Sequence, residues 1–168
     1  MKILKLYIKF IDRLNGKIGL FSSWLTAALV LVVSYDVIVR YLFGESSVGL
    51  QELEWHIFAL IFLLAAAYTF KIDDHVRVDV LYVHQSEKKK AWINLLGTVL
   101  FLIPFCIIVI ISSQNFVEIS FRLNETSPDA GGLPARYILK AIIPFSFFLL
   151  LLQGIAEAFK SIITIKEK

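Results

Sequence analysis

The chain has 168 residues, 58% of them hydrophobic and 18% charged, with a formal net charge of +3 and a mean hydropathy of +0.74. Soluble domains are about 45–50% apolar, so this composition excludes an ordinary water-soluble fold, and the length admits about four membrane crossings with no soluble domain beside them. The single cysteine, Cys106, sits in an apolar run and excludes a disulfide framework; there is no metal-ligand spacing, no Gly-rich phosphate loop and no internal repeat.

In chain order, the bases Lys2, Lys5, Lys9 and Arg13 recur every three or four residues, and Ile3, Leu4, Tyr7, Ile8, Phe10, Ile11 and Leu14 fill the remaining arc. That spacing predicts a basic amphipathic interfacial helix over residues 2–15, with Gly16 and Gly19 allowing the turn into the first span. The apolar run that follows is longer than a signal-peptide core and no small-x-small site ends it, so an uncleaved helix is expected. Four spans follow, at about residues 18–42, 50–70, 91–115 and 137–159. Pro104 and Pro144 lie inside the last two, without the unwound, Gly-rich surroundings of a midplane binding site. The expected fold is a single all-α integral membrane domain.

Basic residues favour the cytoplasmic side. The N-terminal segment, the connection carrying Lys71 and Lys88-Lys89-Lys90, and the C-terminus are basic, whereas GESSVGLQELE has three acids and no base. Both termini are therefore expected inside, with two short loops outside. Trp55, Tyr35, Tyr41 and Tyr137 then fall near the outer face and Trp92, Tyr82 and Tyr7 near the inner one. Trp24 lies deeper, a residue expected to pack between helices or against a partner.

Ionisable groups at membrane depth are costly and are the first candidates for function. Asp36 and Arg40, four apart, form a candidate intramembrane pair, either an ion or proton site or a neutralised pair at the interface. Glu52, Glu54 and His56, at the start of the second span, can bind Arg40, cap the helix, face a partner or form a coupling-ion site. Glu118 and Arg122 repeat the four-residue pairing, and Gln153, Glu157 and Lys160 line one face of the last span. The connector DDHVRVDVLY alternates His75, Arg77 and Asp79 with valines, giving a charged and an apolar side if it is extended. In NETSPDAGGLPARY the Pro and Gly residues specify a tight turn that leads into Arg136 and Lys140.

Three histidines, of which only His56 lies in a span, cannot form a transmembrane haem pair, and one cysteine cannot run disulfide chemistry. No inverted repeat or discontinuous helix pair is present. The chain reads as a scaffold rather than an enzyme, with no cofactor of its own.

VIVRYLFG closing the first span, ELEWHIFALIFLLAAAYTFK forming the second, HVRVDVLY after it, and GGLPARYILKAIIPFSFFLLLLQGIAE together resemble the small membrane subunit of tripartite ATP-independent periplasmic (TRAP) transporters, the DctQ-type permease component. The resemblance covers most of the chain. It implies residence in the bacterial inner membrane, a large multi-spanning partner subunit that holds the substrate path and the sodium sites, and a periplasmic protein that captures an organic acid-type solute. Lipid is the remaining partner; nucleic acid is not expected. By this analogy Arg40, Glu52, Glu54, Trp55, Arg136 and Lys140 lie near the partner or docking surface, and His75, Arg77 and Asp79 make connector contacts. An autonomous four-helix transporter relying on Asp36, or the membrane anchor of a redox complex, are the alternatives.

Overall fold

The computed structural model describes residues 2–73, 82 and 84–167. Its helices are α1 (Lys2–Phe43), α2 (Val48–Lys71), α3 (Glu87–Gly97), α4 (Ile103–Arg122) and α5 (Arg136–Glu167), with a π-helical turn, Thr98–Leu102, joining α3 to α4. Four helical rods result, each long and apolar enough to cross a membrane. Polar signals mark their ends. Gly44, at φ +68°, releases the chain from α1, and Ser47 caps α2 by accepting from the Leu50 N–H. Ser86 accepts from the Lys89 N–H at the start of α3.

The π turn has a local cause. Pro104 has no N–H, and in a regular α-turn its ring meets the carbonyl four residues back. The wider turn takes up one extra residue, so that the Ile103 N–H reaches the Thr98 carbonyl. Leu102, at the end of this turn, lies so close to α5 that a Cβ on Gly154 would stand 2.9 Å from its Cδ2.

Helix α5 is the hub, in contact with α1, α2, α3, the π turn and α4. Its membrane window is 28% buried, against 11% for each of the other three rods. The interior is small and polar rather than greasy: Ser22, Ser113, Ser120, Ser146, Gly154, Ala156 and Cys106 are buried, while Leu31, Phe62, Phe101 and Ile108 face outward. Lipid tails are as apolar as leucine, so helices in a bilayer gain more from close backbone approach than from burying large side chains on one another. A compact apolar contact of Leu64, Ala67 and Leu149, flanked by Leu14, Ile18, Leu60, Ile142 and Leu150, joins α1, α2 and α5.

Two expectations change. The turn at Gly16 and Gly19 is absent, and α1 runs unbroken for 42 residues. Gly19 instead makes room for a neighbour, since any Cβ there would fall on the Tyr68 ring. Residues 2–15 are held against α5 as the first turns of that helix: Tyr7 Oη donates to the Leu152 carbonyl at 3.1 Å, and its ring meets Phe159 edge-on at 5.6 Å. Trp24 is not packed between helices of this chain; it is 71% exposed.

Gly19→Val forces overpacking against Tyr68 and should cost about 1–3 kcal/mol, read as an earlier thermal unfolding transition in detergent. Gly97, whose added Cβ would meet nothing within 4 Å and whose backbone is already helical, provides the contrast. Gly97→Ala should leave stability unchanged or raise it by up to about 1 kcal/mol.

Candidate functional site: a charged clasp at the loop end

Antiparallel helices place the α1–α2 connection and the 123–135 loop at one end of the bundle and both chain ends at the other. At the loop end, Glu52 on the second turn of α2 is only 4% exposed, covered by a single layer of loop. Its Oε1 accepts from Ser127 Oγ at 2.6 Å and from Arg136 Nη2 at 3.0 Å. Its Oε2 accepts from the Leu133 N–H at 2.5 Å. One carboxylate thus binds a loop hydroxyl, a loop amide and the first residue of α5.

Glycines permit this approach. A Cβ on Gly49 would lie 3.0 Å from the Gly131 carbonyl oxygen, and one on Gly132 would meet Ser127 and stand 2.8 Å from Glu52 Oε2. Gly131, at φ +82°, makes the turn that a side chain would strain. The loop is also tied to itself: the Ser127 N–H donates to the Leu133 carbonyl at 3.1 Å, and the Gly132 N–H to the Asp129 carbonyl at 3.0 Å.

A second pair extends the clasp to α4. Lys140 Nζ lies 2.5 Å from Glu125 Oε2 and 4.0 Å from the centre of the Phe116 ring, while the Arg136 N–H donates to the Glu125 carbonyl at 2.9 Å. The Glu125 carboxyl is held below its ordinary value of 4.5, chiefly by the hydrogen bond from Lys140. The Arg136 guanidinium also lies 5.7 Å from the centre of the Trp55 ring, whose other neighbour is the His56 ring at 3.9 Å. His56 Nδ1 is 2.6 Å from the Glu52 carbonyl oxygen; a carbonyl only accepts, so this nitrogen carries the proton.

The candidates expected at this end therefore separate. Glu52, Trp55, Arg136 and Lys140 come together. Arg40 does not join them: it pairs with Asp36 along α1, so Glu52 answers Arg136 and not Arg40. Asp36 is 2% exposed, and its charge is taken up by this neighbour on its own helix. Among the described residues Glu54 shares no ion pair with them, and its Oε1 is shielded without a partner. Ser127, Leu133 and Glu125 were not singled out by sequence reasoning; a serine and an acid inside a Pro/Gly-rich turn were the only signals. His75, Arg77 and Asp79 lie outside the described residues.

A second polar cluster sits at the terminus end. Asn15 Nδ2 donates to Gln153 Oε1 at 2.7 Å, and Gln153 Nε2 donates to both Asp12 and Glu157 at 2.9 Å. Lys160 Nζ bridges Asp12 at 3.0 Å and Glu157 at 2.7 Å. Asn15 and Gln153 are fully buried. Gln153 and Lys160 thus act as interhelical partners, joining α5 to Asn15 and Asp12 of α1, while Glu157 accepts from both of them along its own helix. Among the described residues no three His, Cys, Asp or Glu side chains gather as a metal-donor set.

Four lipid-length helices, with the buried carboxylates Asp36 and Glu52 each paired to an arginine, define a multi-pass helical membrane protein. The chain belongs to the DctQ component family of tripartite ATP-independent periplasmic transporters, whose family model matches residues 29–164. No curated protein matches the chain. The matched range includes all the residues of the loop-end clasp, and its family is one of transporter components rather than enzymes.

Glu52→Ala removes the acceptor for Ser127, Leu133 and Arg136 together and leaves the guanidinium without its counter-charge. Amide exchange across residues 123–135 should accelerate by an order of magnitude or more (roughly the effect of losing one or two hydrogen bonds), with a thermal transition several degrees lower in detergent. Glu52→Gln, which still accepts, should lie between this variant and the wild type. The Glu125–Lys140 pair gives a pH signature. A carboxyl depressed in the folded state stabilises fully above its unfolded value, and that contribution drains as pH falls through the lower, folded one. Loop protection should therefore persist into the ordinary carboxylate range, and Lys140→Gln should move its loss to higher pH.

Proposed function

We propose that this chain is the small permease subunit of a sodium-driven, binding-protein-dependent secondary transporter for organic acid-type solutes, and that it scaffolds a large multi-spanning subunit. The observation that carries this reading is the loop-end clasp within a family-matched, four-crossing bundle. Three rods, α2, α4 with α3, and α5, are locked into one frame, and the compact loop they hold is offered at the membrane surface. The transported solute and the sodium ions are assigned to the large subunit, and no cofactor is assigned to this one.

Glu52, Arg136 and Lys140 act in this reading as positioning residues. Their charges are spent on each other and on the loop, so a periplasmic solute-binding protein would meet the surface they hold in place, including Pro128, Asp129 and Ala130, which are exposed. The charge pattern of the connecting segments supports placing this loop outside the bacterial inner membrane and both termini inside.

Two measurements test the proposal. A tagged full-length chain, drawn from its native membrane in mild detergent, should bring a many-spanning protein in stoichiometric amount. Recovery alone or as a homo-oligomer would overturn the subunit reading. With the complex in hand, Glu52→Arg should lower solute uptake and binding-protein docking by about tenfold or more, the scale of one lost close charge pair. Combining it with Arg136→Glu should restore only the ion-pair part of the loss, since a guanidinium cannot accept from Ser127 or the Leu133 N–H, and uptake unchanged in either single variant would remove the docking role.

A further inference from the structure

The first five turns of α1 carry a surface that neither polar cluster uses and that lies outside the family-matched range. Lys2, Lys5, Lys9, Arg13 and Lys17 are all exposed, and at helical spacing they fall within an arc of about 120°. Beside them Ile3, Leu6 and Phe10 are 84%, 70% and 63% exposed. The one acid in the first 35 residues, Asp12, is turned away onto Lys160 and Gln153. Among the described residues only Lys5 of the five bases is paired, with Glu167 at 3.7 Å, and both of those side chains are more than half exposed, so the pair neutralises little.

A face turned to water accounts for the cations but leaves three large apolar side chains uncovered. A protein partner accounts for the apolar side chains but needs matching acids. The headgroup layer of an anionic bilayer meets both requirements, because phosphates take the bases and the acyl boundary takes the apolar stripe. Length points the same way. At 1.5 Å per residue α1 is about 63 Å long, whereas a bilayer with its headgroups is about 40–45 Å thick. Keeping α1 within that thickness requires a tilt of about 45°, which brings its first turns down toward the surface.

We propose that the exposed stripe of α1 is a binding surface for anionic phospholipid headgroups, with Ile3, Leu6 and Phe10 seated at the acyl boundary. The Asn15–Gln153 and Tyr7–Leu152 contacts prevent these turns from peeling away from α5. Lipid engagement therefore acts on the tilt of the whole bundle and not on a detached N-terminal arm. This inference does not depend on the subunit reading, since it concerns the chain's own contact with lipid.

The test uses the full chain in nanodiscs of equal phosphatidylglycerol and phosphatidylcholine, extracted in mild detergent, with the retained lipids counted by mass spectrometry. The wild type should retain phosphatidylglycerol over phosphatidylcholine by about tenfold or more, and high salt should erase most of that preference. A variant with Lys5→Gln, Lys9→Gln and Arg13→Gln, all exposed positions, should fall close to parity with unchanged helicity. Lys88→Gln with Lys89→Gln, on exposed α3 positions, should keep the preference. Equal retention of both lipids by the wild type, full preference in the triple variant, or equal loss in the Lys88/Lys89 control would each overturn the site.

Discussion

Inside a bilayer a leucine gains nothing by leaving lipid for another leucine, so helices hold together only where backbones approach closely or polar groups find partners. The described residues largely follow that constraint. Most of its buried positions are serine, alanine, glycine and a few hydrogen-bonded polar residues, with Ile11, Leu64 and Leu149 the large apolar exceptions, and most of its large side chains face outward. Gly19 against Tyr68 and Gly154 against Leu102 are close approaches of this kind: a methyl group at Gly19 would fall on the Tyr68 ring, and one at Gly154 would displace the end of Leu102. Ser22 and Ser23 return their hydroxyls to their own helix, to the Ile18 carbonyl at 3.0 Å and the Gly19 carbonyl at 3.1 Å, so neither adds an unpaired donor to the span.

Small-residue packing sets distances but leaves helices free to slide, and the two polar clusters remove that freedom. The loop-end clasp binds α2 to the loop and to the first residue of α5 through Glu52, and the Glu125–Lys140 pair ties the same loop to α5 beside Phe116 of α4. At the opposite end Gln153 and Lys160 join α5 to α1. Both clusters include α5, the rod that also contacts all the others. The result is a frame braced at both ends, with large apolar side chains on its outer faces.

The bracing also reconciles unequal lengths. Helix α2, at about 36 Å, matches a hydrocarbon core of about 30 Å with modest tilt. The rod from Glu87 to Arg122 and α5 have 36 and 32 residues, about 54 and 48 Å, and overshoot the core as α1 does. Because α1 and α5 are pinned to each other toward the chain ends, any tilt of α1 is shared by α5.

Much was legible beforehand because it depends on composition and local chemistry. Apolar runs long enough to cross a bilayer mark the four rods wherever they pack, and Ser47, Ser86 and Gly44 mark boundaries through the geometry of a single turn. The Asp36–Arg40 and Glu118–Arg122 pairs follow from four-residue spacing on one helix. Other features depend on residues far apart in the chain. Gly16 and Gly19 look like a hinge until the ring of Tyr68, from another helix, is placed against them. Glu52 has several basic residues within plausible reach, and only the path of the loop selects Arg136, 84 positions away. Asn15 and Asp12 look like part of an amphipathic arm until Gln153 and Lys160 claim them. The sequence by itself determined what this protein is made to live in and how often it crosses, because transfer into lipid is a property of each segment alone. Only the tertiary structure decided which charges pair, because a buried ion chooses its partner by distance, and distance between helices is set by packing.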